Sequence, residues 1–165
     1  MDRILAVSDS VVIAVDPASV YAAVSDVTRM GEWSSENTGA TVTGGRTGAQ
    51  VGLEFEGTNK RGGVGWVTRC TVTVADPGER FAFRVEAIGV RVPRIRGRVA
   101  SWDYLFEAAD GGTLVTETWT DNRRWPRLLV RAFDWAATGG STFAEFQKGN
   151  IRRTLKKLKT VMEAG

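Results

Sequence analysis

From about residue 40 to residue 120 the chain is cut into short runs of β-forming residues by tight-turn signals, and one long amphipathic stripe follows. That order leaves few folds open. Strands joined by such short turns pair antiparallel. One face of an antiparallel sheet needs a cover. The stripe of Ile151, Leu155, Leu158 and Met162, at spacings of 4, 3 and 4, is the only long helix available to supply it. Phe143 and Phe146 extend the stripe upstream, and Lys148, Arg152, Arg153, Lys156, Lys157 and Lys159 take the remaining surface.

The β runs alternate side chains between two faces. In Gln50–Gly57, Val51, Leu53 and Phe55 oppose Gly52, Glu54 and Glu56. Asn59–Gly63 reads as a hairpin turn, Trp66–Ala75 as a longer strand, and Asp76-Pro77-Gly78-Glu79 as the turn that ends it. Phe81, Phe83 and Val85 then share a side, Val99–Glu107 forms another strand, and Gly111-Gly112 turns the chain into Thr113–Thr120. Thr41–Thr43 is a brief strand closed by Gly44-Gly45. Upstream, Leu5–Val15 is a strand that stops at Asp16-Pro17, a good helix cap followed by a residue suited to the first helical position. Val20, Val24 and Val27 recur at helical spacing, and a second short helix or turn carries Met30 and Trp33. After the strands, Trp125-Pro126 opens a segment in which Leu129, Ala132, Phe133 and Ala136 share a face, and Gly139-Gly140 interrupts it. The reading is one α+β domain over residues 1–165.

Two absences narrow the chemistry. There is no histidine and one cysteine, Cys70, which removes histidine-based catalysis and leaves no zinc or iron ligand set. No metal and no cofactor are expected, and any acid or base is Asp, Glu, Tyr or Lys. No apolar run is long enough to span a membrane and no secretory signal is visible, so the expected location is the cytoplasm. The net charge is +3. Arg91, Arg94, Arg96 and Arg98 cluster around Pro93 and Ile95, either as a solvated basic hairpin or as a weak contact for a membrane surface. No motif that reads nucleic acid accompanies them. Gly62-Gly63-Val64-Gly65 lies between strands and is a hairpin connection, since a phosphate loop must lead into a helix.

The segment Asp16, Pro17, Val20, Tyr21, Val24, Asp26, ending in Trp33, resembles the START-like helix-grip (SRPBCC) superfamily. Trp66, the Asp76-Pro77-Gly78 turn, Trp102-x-Tyr104-x-Phe106 and Gly111-Gly112-Thr113 continue the likeness. Val24–Ser34 is similar to polyketide-cyclase-like members. The resemblance implies a helix-grip fold: a curved sheet of about seven strands wrapped around the C-terminal helix, two short helices after the first strand, and a ligand cavity between sheet and helix. In aromatic-polyketide cyclases the strand near Trp66 reads roughly W-x-S/T-x-R, with an arginine in the pocket. Here that position holds Cys70, and Arg69 falls on the opposite side.

Candidate ligand contacts follow from the strand faces. Trp66, Thr68 and Cys70 share one side, and are pocket wall or core. Phe55, Phe83, Trp102, Tyr104 and Trp119 are the other strand candidates, with Tyr104 able to bond a ligand or a backbone carbonyl. Phe143 and Phe146, after the glycine break, form a gate or simply pack the helix; Trp33 and Met30 would be the opposite rim. The nearby acids are Glu32, Glu36, Glu54, Glu56, Asp103 and Glu117. Most strand acids alternate opposite an apolar face and so read as solvated, and no catalytic residue is nominated. The expected function is binding or transport of a hydrophobic small molecule of lipid, polyketide or aromatic type, by a monomer or homodimer. The alternatives are a cyclase or dehydratase acting on such a molecule, and a membrane-surface or regulatory protein using the basic hairpin.

Overall fold

The computed structural model describes residues 3–165; Met1 and Asp2 lie outside it. The chain begins with β1 (Ala6–Ile13), α1 (Pro17–Ser25) and a 3-10 segment (Val27–Glu32). Then come β2 (Asn37–Val42), a 3-10 turn (Thr43–Gly45), β3 (Glu54–Arg61), β4 (Val64–Asp76), β5 (Arg80–Gly89), β6 (Ile95–Ala109) and β7 (Gly112–Asp121). Two helices close it, α2 (Arg127–Thr138) and α3 (Phe143–Ala164). The seven strands form one antiparallel sheet in the order β1-β7-β6-β5-β4-β3-β2. This is the helix-grip architecture the sequence order points to.

Local chemistry explains the boundaries. Asp16 caps α1 by accepting from the Ser19 amide and hydroxyl at 2.9 and 2.7 Å, and Pro17 starts the helix. Asp26 ends α1 and caps the 3-10 segment through the Thr28 amide and hydroxyl. Tyr21 of α1 meets Phe106 of β6 edge-on at 5.7 Å, which fastens α1 against the sheet. Gly139 ends α2 in the left-handed conformation, and Thr142 and Glu145 form a reciprocal capping box that starts α3. The glycine break is therefore a true helix junction.

The core joins the sheet to α3. Ile151, Leu155 and Leu158 are buried with Ile13, Phe81, Phe106 and Val115. The last turns of α3 are tied to β1: Lys159 donates to the Val12 carbonyl at 2.6 Å, and Glu163 accepts from the Ala14 amide at 2.9 Å.

Three readings shift. Gln50–Leu53 is a turn, not the start of a strand, because Gly48 and Gly52 take positive φ there and the Leu53 amide folds back to the Gln50 carbonyl. The strand instead runs from Glu54 through Arg61, so Asn59–Arg61 belong to β3 and the hairpin narrows to Gly62-Gly63, with Gly62 at φ +56°. The brief strand at Thr41–Thr43 lies earlier, at Asn37–Val42. In α2, Leu129, Ala132 and Phe133 share one face as read, beside Trp125 and Pro126, and the buried residues of the helix are Val130 and Asp134.

Candidate functional site

The curved sheet and α3 do not fill the space between them. A cavity of about 320 Å³ remains, within the range of small-molecule pockets. Most of the predicted strand residues line it. Trp66, Thr68 and Cys70 come from β4, Phe55 from β3, and Phe83 from β5. Trp102 and Tyr104 come from β6 and Trp119 from β7, because each strand turns alternate residues inward. Phe143 closes the wall from α3, stacked between Trp119 at 6.3 Å and Phe133 at 6.0 Å.

Trp33 and Phe146 lie outside the cavity wall. Trp33 is 1% exposed and packs in the core with the Arg29 guanidinium over its ring, so it is no rim, although Met30 does line the cavity. Phe146 is held under the Arg61 guanidinium at 3.7 Å.

The wall is less greasy than the strand pattern implied. Helix α3 presents Gln147, Asn150 and Thr154 to the cavity, on a face beside the Ile151–Leu158 stripe. Asn150 donates to Gln147 at 2.8 Å and accepts from the Ser35 hydroxyl. Asn37 and Asn59 face them from β2 and β3. The helical apolar spacing concealed this second buried face, since three polar residues at intervals of 3 and 4 read equally well as solvated.

Glu117 is the main correction. It is 2% exposed, sits on β7 directly opposite Tyr104 of β6, and lines the cavity. The Tyr104 hydroxyl donates to Glu117 Oε1 at 2.9 Å, and Oε2 has no hydrogen-bond partner. Burial pushes the Glu117 carboxyl up to about 8, with only the Tyr104 hydrogen bond opposing, and burial likewise raises the Tyr104 hydroxyl. At neutral pH the group is mostly the neutral acid. The signal was present in the sequence: Glu117 shares parity with Val115 and Trp119, both buried. The expectation that strand acids are solvated holds for Glu56 and Asp103, which pair with Arg69 and Arg80 on the outer face.

Two arginines also reach the cavity. Arg61 spans the mouth: Nε donates to Glu36 at 2.6 Å and Nη1 to the Ala137 carbonyl of α2 at 2.5 Å. The exposed lining residues Val64 and Ala136 mark the opening beside it, between the β3–β4 hairpin and α2. Arg123, 3% exposed along its side chain, is held by Asp121 at 2.8 Å and Asp134 at 2.7 Å. Asp134 also accepts from the Phe143 amide, so this buried cluster joins β7, α2 and the first turn of α3. Asp134 sits on α2, 11 residues from Arg123, and strand parity does not pair residues across a change of element. As expected, Arg69 points away from the cavity and Cys70 points in. The Cys70 thiol is buried and pushed up to about 12, so it is no nucleophile.

A family described as polyketide cyclase / dehydrase and lipid transport matches residues 5–163, nearly the whole chain. The chain belongs to this polyketide cyclase, dehydrase and lipid-transport family. Its fold is that of solved START-superfamily structures. The Polyketide_cyc-like protein Cgl2372 from Corynebacterium glutamicum is 29% identical, over 99% of this chain and 93% of that one, with a TM-score of 0.58. A START superfamily protein from Mycobacterium smegmatis is 13% identical over 98% and 99%, with a TM-score of 0.69. The di-domain ARO/CYC StfQ from the steffimycin biosynthetic pathway is 12% identical over 97% of this chain, with a TM-score of 0.69. This chain spans 51% of StfQ, so the match concerns about half of it. No curated protein matches the chain. The family supports hydrophobic-ligand binding or polyketide-cyclase roles in general.

Proposed function

We propose that the protein binds or carries a hydrophobic small molecule, of lipid, polyketide or aromatic type, in the cavity between sheet and α3. The carrying observation is the cavity itself: about 320 Å³, walled by Trp66, Trp102, Trp119 and Phe143. An apolar aromatic lining binds by removing ligand surface from water, at about 25 cal/mol per Å². Native mass spectrometry of freshly purified protein tests this. The expected spectrum shows an adduct that is released on denaturation. Protein that carries no adduct and takes up no apolar probe refutes it. We place the protein in the cytoplasm, where its single buried thiol suits a reducing compartment. No helix among the described residues is long and apolar enough to cross a membrane.

One observation favours the cyclase or dehydratase reading as the second choice. The Tyr104–Glu117 pair is buried, hydrogen-bonded and in the cavity wall, as a proton-handling pair must be. A polyketide-like chain folded against it would be held and shielded from water. Turnover that is indifferent to replacement of both residues eliminates this reading.

A weaker membrane contact is supported by the exposed apolar residues. Val90, 79% exposed, lies beside Arg91 in the β5–β6 connection, and Leu128 and Trp135 of α2 are 80% and 70% exposed near Arg127 and Arg131. Cosedimentation with anionic vesicles that survives reversal of Arg91, Arg94, Arg96 and Arg98 to Glu counts against the basic connection as the contact.

A further inference from the structure

The outward face of α2 is apolar, which inverts the usual order for a helix on a globular domain. Leu128, Ala132, Trp135 and Ala136 fall on one face at helical spacing, and all four are exposed. The opposite face holds Val130 and Asp134, both buried. The helix thus turns its carboxylate inward, to Arg123, and its apolar side chains outward. This face borders the cavity mouth, because Ala136 belongs to both. The rest of that end of the molecule follows the same pattern. The β3–β4 hairpin lies there, tied to α2 by the Arg61 bond to the Ala137 carbonyl, and it exposes Val64. The β5–β6 connection lies beside the hairpin, since Val67 of β4 pairs with Gly89 at the end of β5, and it exposes Val90 and Val92.

The two ends of the sheet also differ in charge. At the mouth end, Arg91, Arg94, Arg96 and Arg98 run exposed along the connection into β6. Arg124, Arg127 and Arg131 are exposed on and before α2. Among the described residues none of these arginines has an acidic partner. The acids nearby are committed: Glu36 to Arg61, Asp121 and Asp134 to Arg123, and Glu145 to the cap of α3. At the far end, the β4–β5 and β6–β7 turns expose Asp76, Glu79 and Asp110. The occupant of the mouth end must therefore bring negative charge and accept apolar side chains from three separate segments. A second copy of this chain, packed through the same patch, sets arginine against arginine with no free acid between them. An anionic bilayer supplies both needs: it attracts the arginines, and Leu and Trp of an arginine-flanked helix sit in its interface.

We propose that α2 docks the protein on an anionic lipid bilayer, lying in the interface with Leu128 and Trp135 set into the headgroup–acyl boundary and the cavity mouth turned toward the lipid. This rests on the membrane-contact reading above, and it moves the inserted element from the Arg91–Arg98 connection to α2. The arginines of the connection then hold the orientation by charge. Given that the cavity holds an apolar ligand, that ligand passes between bilayer and cavity beside Ala136 and Val64 without crossing water.

The test is cosedimentation with vesicles of phosphatidylcholine alone and of phosphatidylcholine mixed with phosphatidylglycerol. The native protein should bind the mixed vesicles, lose them as salt screens the arginines, and bind phosphatidylcholine alone far less. The double variant Leu128→Glu with Trp135→Glu, its folding checked by urea unfolding, should partition about tenfold or more weakly, since one buried apolar side chain is worth at least that factor. Brominated acyl chains should quench tryptophan emission in the native protein and quench it less in Trp135→Phe, which keeps the face apolar. Undiminished binding by the double variant, or equal quenching in Trp135→Phe, overturns the proposal and leaves the connection as the contact. No binding to mixed vesicles overturns both membrane readings, while the cavity reading is decided separately by its ligand adduct. A dimer that the double variant dissociates in analytical ultracentrifugation gives the face to a second copy and overturns the proposal as well.

Discussion

Raising the pH through neutrality should weaken the fold through one group, Glu117. Its carboxyl titrates near 4.5 when unfolded and is pushed up to about 8 in the fold by burial. Below about pH 4.5 both states hold the proton, and the group contributes no pH dependence. Between the two values the unfolded chain releases the proton while the folded chain keeps it. The unfolded state then binds fewer protons, so stability falls as pH rises. Above about pH 8 both states are ionised and the loss levels off. The gap between about 4.5 and about 8, at roughly 1.36 kcal/mol per pH unit, amounts to about 5 kcal/mol. Against a net stability of roughly 5–15 kcal/mol, that is a large fraction of the whole. Urea unfolding at a series of pH values from about 4 to about 9, on the native protein and Glu117→Gln, isolates the effect. Gln keeps the acceptor for Tyr104 but cannot ionise, so every other titration is shared by the two proteins. The difference in unfolding free energy should widen across this window in favour of the variant. Parallel curves would falsify the assignment of a buried, unpaired carboxyl.

Three further outcomes follow from the packing. Arg61→Met removes the strap between Glu36 and α2; bound anilinonaphthalene sulfonate should then dissociate faster in stopped-flow measurements, at a stability cost of only about 1 kcal/mol, and an unchanged off-rate speaks against a gating role. Arg123→Met leaves Asp134 buried without its cation and Asp121 with only Arg3 at 3.5 Å, and should cost about 3–5 kcal/mol, read as a Tm drop on the order of 10 °C by calorimetry; a drop of a degree or two contradicts it. Cys70 should react with a disulfide reagent only after unfolding, and rapid labelling of the native protein at neutral pH refutes its burial.

Much of the architecture was legible because period-2 and period-3.6 patterns survive in a single chain. The alternation at Ala100, Trp102, Tyr104 and Phe106 correctly gives an inward face, and Asp16-Pro17 correctly starts α1. The site was half legible. Aromatic wall residues follow from strand parity, since parity is local. Glu117 was misjudged where residue type was weighed above parity: a carboxylate is rarely buried, and only the cross-strand Tyr104 makes this one tolerable. Gln147, Asn150 and Thr154 were missed because a helix pattern identifies one apolar stripe and cannot tell a second buried face from a wet one. The Arg61 strap spans 76 residues to the Ala137 carbonyl, beyond any local window, and the Arg123 cluster joins a strand end to a helix, which neither strand nor helix periodicity connects.

The two buried faces of α3 separate durability from choice. Ile151, Leu155 and Leu158 anchor the helix in the core, whereas Gln147, Asn150 and Thr154 face the cavity from interleaved positions. Under the proposed binding function, substitutions at the second set would alter which molecule is admitted while leaving the apolar stripe of α3 in place. On that reading a lineage built on this scaffold would diversify its ligand by short steps, and a directed-evolution library confined to those three positions would explore the same freedom.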